Sequence, residues 1–246
     1  MRTIQFLAAA LAAAALTGCT NVATFDYNGA PGTIAIFQEK GLAQKTVAVM
    51  PFLDQRSTGI SNPDEIGEDG SFYLGFIPLM PFGYLIKDQP EKTDDFVSLG
   101  RFHFDPVNDL ANAAMVSLSR SNLFAKVIRA NNQDQAQADY IWRGKILNTA
   151  YRGNMYSYCI TYFLSPFFWV IGIPSGTSWN RLHVQFELIE RASGKVVWTY
   201  DFDKEDSITH WIYARIGKDA SLYALLMKLA MNQAMQDLSA KLPTLK

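Results

Sequence analysis

The sequence is poor in the residues on which most enzyme and metal sites are built. Its 246 residues include two cysteines and three histidines. The HExxH and paired CxxC spacings of zinc sites are absent, as are a glycine-rich phosphate loop and a GxSxG elbow. The acidic stretch at Asp64, Glu65, Glu68 and Asp69 lacks EF-hand spacing and is typical of a solvated loop. We therefore expect no enzymatic activity, no metal and no cofactor.

The chain also lacks an excess of charge of either sign. Lys and Arg number 22, Asp and Glu number 23, and the formal net charge is -1. This balance favours neither nucleic acid nor an acidic surface as a partner. Hydrophobic residues make up 49% of the chain, which is enough to bury the core of one large domain.

The N-terminus has the layout of a secretory signal peptide. It begins MRTIQFLAAALAAAALTGC, with an early cation at Arg2, an apolar stretch and then small residues. Its end, Leu16-Thr17-Gly18-Cys19, resembles the lipobox of bacterial lipoproteins, in which the cysteine receives a diacylglycerol and becomes the new N-terminus. We predict a signal peptide at residues 1–18, with the lipidated Cys19 and a tether at residues 19–44.

Thr20 follows the lipobox cysteine. In the enterobacterial lipoproteins that this region resembles, a residue other than Asp at this position accompanies sorting to the outer membrane. The resemblance therefore implies a lipid anchor in the outer membrane and a domain that faces the periplasm.

Hydrophobic periodicity predicts a single α/β (α+β) domain at residues 45–246, with a mixed β-sheet flanked by helices. The stretch around Val47 is apolar on both faces, as in a central strand, and FAKVIRA predicts another strand. Asp105-Pro106 is typical of a helix start, and the apolar spacing continues to about Ser121. ADYIWRGKIL predicts a strand with one wet face, and ELIERASGKVVWTY a hairpin. Leucines at helical spacing predict a final helix from about residue 219 to residue 241.

Two long uncharged runs interrupt this pattern, within predicted insertions at about residues 57–101 and 154–179. The second run, YCITYFLSPFFWVIGIP, is too short for a membrane-spanning helix and has Pro166 near its middle. It lies between two predicted neighbouring strands, so its ends must return to nearly the same place. The first run, FYLGFIPLMPFGYLI, has the same aromatic character.

One interpretation is that these runs fold back and close the core of a large domain. The other, which their aromatic content and prolines favour, is that they are exposed and mark contact with a membrane or with a protein. The predicted contact residues are Phe72, Tyr73, Phe76, Phe82, Tyr84, Tyr162, Phe163, Phe167, Phe168 and Trp169. Either surface, the inner leaflet of the outer membrane or a neighbouring protein, fits their composition.

The order of the predicted elements resembles a fold shared by several bacterial envelope proteins: the curli-secretion lipoprotein CsgG, the N-terminal domain of TolB, the export lipoprotein PelC, and the lipoprotein activators of penicillin-binding proteins. Short structural motifs carry the resemblance. The matching residues are Val47, Val49, Pro51, Phe52, Asp54, Leu123, Phe124, Ala125, Lys126, Val127, Ala138, Asp139, Tyr140, Gly144, Leu188, Gly194, Val197 and Trp198.

The resemblance implies a non-enzymatic outer-membrane lipoprotein that assembles with itself or with an envelope partner. It favours an accessory or assembly component, with export as one setting, and contact of the aromatic runs with a subunit and with lipid at the edge. The alternative is a monomeric activator of a peptidoglycan-synthesising enzyme, and an enzyme is the least favoured reading. Neither apolar run alternates as the strands of a membrane pore must, which argues against a secretion pore.

Overall fold

A computed structural model describes residues 22–37, 42–57, 72–73, 84–89, 95–97, 101–132, 137–156, 165–214 and 221–241. The strands are β1 (Val22–Thr24), β2 (Leu42–Val49), β3 (Leu53–Asp54), β4 (Phe72–Tyr73), β5 (Tyr84–Gln89), β6 (Asp95–Val97), β7 (Arg101–His103), β8 (Phe124–Arg129), β9 (Tyr140–Asn148), β10 (Tyr151–Tyr156), β11 (Gly176–Glu190) and β12 (Val196–His210). The helices are α1 (Pro106–Ser121), α2 (Ser165–Val170) and α3 (Ser221–Lys241).

Nine of these strands form one open mixed sheet. Strand β2 runs parallel to β8 on one side and to β9 on the other. Strand β11 pairs antiparallel with β12 along one edge, and with β9 and then β10 along the other. Strand β5 continues the sheet beyond β10, while β1, β7 and β6 form a separate small sheet. The predicted mixed sheet flanked by helices is confirmed.

The central position of β2 follows from its side chains. Val47, Ala48 and Val49 are each 0% exposed, because one face of the strand meets the main core and the other a smaller cluster around Ile141 and Ile189. A strand covered on both faces cannot alternate polar and apolar residues. The apolar run in the sequence predicted this correctly.

Helix α1 begins where the sequence indicates. The Asp105 carboxylate accepts a hydrogen bond from the backbone N–H of Asn108, and Pro106 occupies the first turn. The helix ends at Asn122, which adopts a left-handed conformation with φ 61°. Asparagine tolerates this region better than other non-glycine residues, so the chain can turn directly into β8.

The main core lies between one face of the sheet and helices α1 and α3. Trp142 on β9 packs against Phe186 on β11 and Trp198 on β12, with ring centroids 5.5 and 5.3 Å apart. Tyr223 and Leu226 of α3 complete this layer. The opposite face carries Arg143 and Lys145, whose cations bind the carboxylate of Glu187. The predicted strand with one wet face is therefore present.

The N-terminal segment at residues 22–37 differs from the predicted tether, because it packs against the domain. The Lys228 ammonium donates to the backbone oxygens of Ala30 and Gly32 at 2.6 and 3.3 Å. The Asn232 side chain accepts from the Ala35 N–H at 2.9 Å. Burial raises the pKa of Tyr27, in the same segment, to about 12. Side chains of α3 therefore hold residues 22–37 in place by binding their backbone groups.

The predicted insertions contain regular structure. Strand β5 lies in the first range and pairs with β10 over six residues, from Gln89 opposite Tyr151 to Tyr84 opposite Tyr156. In the second range, β10 and β11 remain paired as far as Met155 and Gly176. The chain between them leaves and rejoins neighbouring strands, as expected. Among the described residues, no helix is both long and apolar enough to cross a membrane.

Candidate functional site

The structure describes part of the predicted contact set. Cys19, Phe76, Phe82, Tyr162 and Phe163 lie outside the described residues. Phe72 and Tyr73 form β4, and Tyr84 begins β5. Phe167, Phe168 and Trp169 belong to α2.

The register brings these two regions to one end of the large sheet. Phe72 and Tyr73 pair with Ile86 and Leu85 of β5. Tyr84, at the start of β5, pairs with Tyr156, the last residue of β10. Helix α2 follows in the connection from β10 to β11. Both aromatic runs therefore contribute residues to the end of the sheet at which β10 finishes and β11 begins.

An exposed surface, which we call the apolar tip, lies at this end and consists of residues 168–174 and 211–214. The side chains of Val170, Ile171 and Tyr213 are 56%, 58% and 68% exposed. Trp169 and Trp211 are half-buried beside them. The tip joins the segment after α2 to the segment after β12, since the Tyr213 hydroxyl donates to the Val170 carbonyl at 2.5 Å.

The polar atoms of the tip bind one another. The Trp169 indole N–H donates to the Tyr156 carbonyl at 3.1 Å. The N–H groups of Gly172 and Ile173 donate to the carbonyls of Trp169 and Phe168, each at 3.1 Å. The backbones of Trp211 and Ala214 exchange two hydrogen bonds of 2.9 Å. Apolar side chains can therefore face outward while these backbone groups stay paired.

Charged residues begin at a common level behind the tip. Residues 168–180 and 207–214 contain no Asp, Glu, Lys or Arg. Arg152 of β10 pairs with Trp179 of β11 on one side and Asp88 of β5 on the other. Trp179 in turn pairs with Ser207 of β12, next to Asp206. Lys87 of β5 lies one pair nearer the tip, opposite Gly153. A polar belt thus crosses four neighbouring strands within about two residues of one level.

Ion pairs continue this belt away from the tip. Arg181 donates two hydrogen bonds to Asp203, at 2.8 and 2.5 Å. These bonds hold the pKa of the Asp203 carboxyl below its usual value. His183 lies 3.1 Å from Asp201 on the same face. Each strand therefore changes from uncharged to charged within a few residues.

The histidines are used separately. His210 is buried, and its Nε2 lies 2.7 Å from the Ser178 hydroxyl. His183 binds Asp201, and His103 lies before α1 in the exposed part of β7. In the part of the chain that the structure describes, no three His, Cys, Asp or Glu side chains gather as a metal site would require.

A polar cavity of about 420 Å³ lies at the other end of the sheet, beside the β11–β12 turn. Its charged lining residues are Lys45, Asp139, Glu190 and Arg191. Asp139 is already used by Thr46, whose N–H and hydroxyl donate at 2.7 and 2.9 Å and lower the pKa of the carboxyl. The charges balance, and nothing in the lining indicates a nucleophile or a specific ligand.

Sequence reasoning missed one half of the tip. Trp211, Ile212 and Tyr213 follow β12 in the short phrase HWIYA, which is too brief to stand out beside the longer aromatic runs. Its signal is a strongly apolar triplet four residues after the charged stretch DFDKED ends. Only the pairing of β11 with β12 places this triplet against α2.

No protein-family model matches the sequence, and no curated protein matches it. Among solved structures, the chain is similar to protein XCC0632 of the DUF330 family from Xanthomonas campestris, with 9% identity, a TM-score of 0.43 and coverage of 89% of this chain and 92% of that one. It is also similar to two crystal forms of the PelC dodecamer from Paraburkholderia phytofirmans. Identity is 14% and 13%, the TM-score is 0.37 and 0.33, and coverage is 86% and 83% of this chain and 95% and 92% of those chains. At these TM-scores the similarities assign no function. The class of protein defined here is a mixed α/β domain, as its strand order shows, with exposed apolar residues at one end of the sheet.

Proposed function

We propose that this chain is a lipid-anchored, non-enzymatic accessory or assembly component of the bacterial outer membrane that faces the periplasm. One observation carries the proposal: the lipobox-like cysteine, Cys19, lies three residues before Val22, the first residue that the structure describes. A fully extended chain spans at most about 3.6 Å per residue, which gives a reach of about 11 Å between them. Such a short connection would hold the domain against the membrane surface.

This short reach disfavours the activator alternative. An activator of a peptidoglycan-synthesising enzyme has to extend away from the membrane, and a long disordered tether would provide that extension. Here residues 22–37 are held by Lys228 and Asn232 of α3 and cannot serve as a free tether while these bonds persist. A component that works at the membrane surface fits this geometry better.

Self-association is part of the proposal. The resemblance to CsgG, the N-terminal domain of TolB and PelC implies assembly with identical subunits or with an envelope partner. Light scattering of the detergent-extracted protein, corrected for bound detergent, measures this property. We expect a mass of several chains, whereas a monomer would favour the activator alternative.

Incorporation of a labelled fatty acid tests the anchor. We expect label in the wild-type protein and none in the Cys19→Ala variant. Cys159→Ala is the matched control, since it removes the other cysteine of the chain and should leave labelling unchanged. Label that persists in Cys19→Ala, or wild-type protein that takes up none, would overturn the assignment of Cys19 as the acylated residue.

A further inference from the structure

The geometry points to the apolar tip as a second membrane contact, which enters the lipid headgroup and upper acyl region of the leaflet that holds the anchor. This inference rests on the proposed acylation of Cys19. It chooses lipid over protein as the occupant of the tip, and three observations carry that choice: the position of the N-terminus, the level of the charged belt and the internal pairing of polar groups.

The direction of the helices fixes where the tip lies. The Phe52 N–H, just after β2, bonds to the carbonyl of Val107 at the start of α1. At its other end, β2 begins beside Phe124, shortly after α1 has finished. Strand β2 therefore runs from the end of α1 toward its start. Strand β9 runs parallel to β2, and β10 continues in the same sense along β11 to the tip. The tip thus lies beyond the end of the domain at which α1 begins.

The N-terminal segment runs alongside α1 in the opposite sense to β2. Phe25 stacks on Phe104, next to the start of α1, with ring centroids 5.4 Å apart. Twelve residues later, the Phe37 N–H bonds to the carbonyl of Ser121, at the end of α1. The segment therefore travels from the start of the helix to its end as the residue number rises.

Traced backward, the chain leads toward the tip end. Strand β1 runs parallel to β7, with Thr24 opposite His103 and Val22 opposite Arg101. Because β7 leads into α1, Val22 lies farther beyond the helix start than Thr24 does. Cys19 is three residues before Val22 in the sequence. An acyl anchor on Cys19 and the apolar tip therefore project from the same end of the domain.

The charged belt sets a depth that suits a lipid interface. Asp206 lies four positions before His210, the last residue of β12. At ~3.3 Å per residue this gives about 13 Å of uncharged strand below the tip. Amphipathic elements that lie in a membrane interface bury their apolar face by roughly 5–10 Å. The nearest charged strand residue in the register is Lys87, which pairs with Gly153 and so lies at the level of Ile208, two positions or ~7 Å from His210. The tip can therefore enter to a depth within that range before Lys87, Arg152 or Asp206 leaves water.

The internal hydrogen bonds of the tip favour lipid over a protein partner. Unpaired backbone groups are costly in the acyl region, because no water is available to satisfy them. The Val170 carbonyl is paired with the Tyr213 hydroxyl, and the carbonyl of Trp169 with the Gly172 N–H. Trp169 and Trp211 also belong to the residue type that concentrates at membrane interfaces.

Fluorescence quenching by brominated lipids tests the inference. Acylated full-chain protein is reconstituted into vesicles of phosphatidylethanolamine and phosphatidylglycerol with bromine on the acyl chains. Trp169 and Trp211 are the reporters, since Trp142 and Trp198 are in the core, 0% and 4% exposed. The fifth tryptophan, the partly exposed Trp179 of β11, is removed by Trp179→Phe in every protein compared. We expect quenching in the wild-type protein and loss of most of it in Ile171→Asp, because a carboxylate at the tip opposes insertion.

Ile36→Asp is the matched control. Ile36 is 68% exposed, compared with 58% for Ile171, and it lies beside Phe37 at the opposite end of α1. Both substitutions are at exposed positions, and a thermal melt verifies that each variant folds as the wild type does. Ile36→Asp should be quenched like the wild-type protein. Equal losses in the two variants, or no quenching in acylated wild type, would overturn the tip contact.

The outcomes for the anchor and for the tip are separable. Acylation is measured by mass, and attachment to vesicles by flotation. Acylated protein that floats but is not quenched would overturn the tip inference and leave the anchor standing. Quenching in wild-type protein that carries no acyl chains would support the tip contact and overturn the proposed anchor. Absence of both acylation and quenching would overturn both proposals. If a second copy of the chain covered the tip instead, the wild-type protein would show no quenching. It would form an oligomer, and Ile171→Asp would dissociate that oligomer.

Discussion

At the scale of single residues, Gly144 of β9 sets how closely this strand approaches the short link between β2 and β3. A Cβ atom at this position would lie 2.4 Å from the ring of Phe52, which is itself 2% exposed. Phe52 packs edge-on against Phe186, with centroids 6.0 Å apart, so the ring has little room to move. The ring of Phe52 therefore occupies the space that a side chain at residue 144 would need.

Gly144→Ala should destabilise the domain for this reason. Overpacking of a tight core costs about 1–3 kcal/mol, and we expect the free energy of unfolding to fall by that amount. Urea denaturation at a constant detergent concentration measures the change. In a Phe52→Leu background the same substitution should cost less, because the smaller side chain leaves space. An equal cost in both backgrounds would show that contact with Phe52 is not the cause.

At the scale of elements, two side chains of α3, Asn232 and Lys228, hold residues 22–37 against the domain. The Asn232 side chain accepts from the Ala35 N–H at 2.9 Å and donates to the Thr33 carbonyl at 2.8 Å. The Asn232 amide therefore pairs the backbone groups of residues 33 and 35, as a neighbouring strand would do in a sheet. Lys228, one turn earlier, binds Ala30 and Gly32 in the same manner.

Asn232→Ala should loosen this segment without unfolding the domain. Leaving a partly buried backbone donor and acceptor unpaired costs about 1–3 kcal/mol. Here we expect this cost to lower the free energy of local opening of the segment and to leave that of global unfolding nearly unchanged. We expect faster amide hydrogen exchange at residues 33–37 and little change in the exchange of β11. Gln236→Ala is the control, because Gln236 lies one turn later on α3 and is exposed. Unchanged exchange in Asn232→Ala would show that other contacts hold the segment.

The elements that the sequence predicts well are those with local periodicity. The apolar run of β2, the capped start of α1 and the turn at Gly194, with φ 67°, each carry their own signal. The docking of residues 22–37 carries none, because Gly and Pro indicate a loop and the partner Asn232 lies 197 residues from Ala35. Strand β5 was included in an insertion because its partner, β10, is identified only by the register.

The candidate site divides in the same way. The aromatic run that forms α2 is visible as composition, so Phe168 and Trp169 could be selected from sequence alone. Tyr213 could not, since its role depends on a hydrogen bond to Val170 across the end of the β11–β12 pair. The common level of the charged belt is likewise a property of strand register, and no single segment reveals it.

At the scale of the whole molecule, the proposed anchor and the apolar tip act as two attachments on one rigid end. The tip has only three strongly exposed apolar side chains, Val170, Ile171 and Tyr213, so its own affinity for lipid is small. The anchor compensates by holding the tip at high effective concentration near the bilayer. Orientation of the domain then depends on the short connection between Cys19 and Val22.

Lengthening that connection should separate the two attachments. A Gly/Ser spacer of about 20 residues after Asn21 extends the connection from three residues to about 23, which lowers the effective concentration roughly 20-fold by the -3/2 power of length. We expect unchanged acylation and flotation but weaker quenching by brominated lipids. The same spacer at Ser193, in the exposed β11–β12 turn at the far end, should leave quenching intact. Undiminished quenching with the spacer after Asn21 would mean that the tip binds lipid without help from the anchor, and that the short connection does not set the orientation.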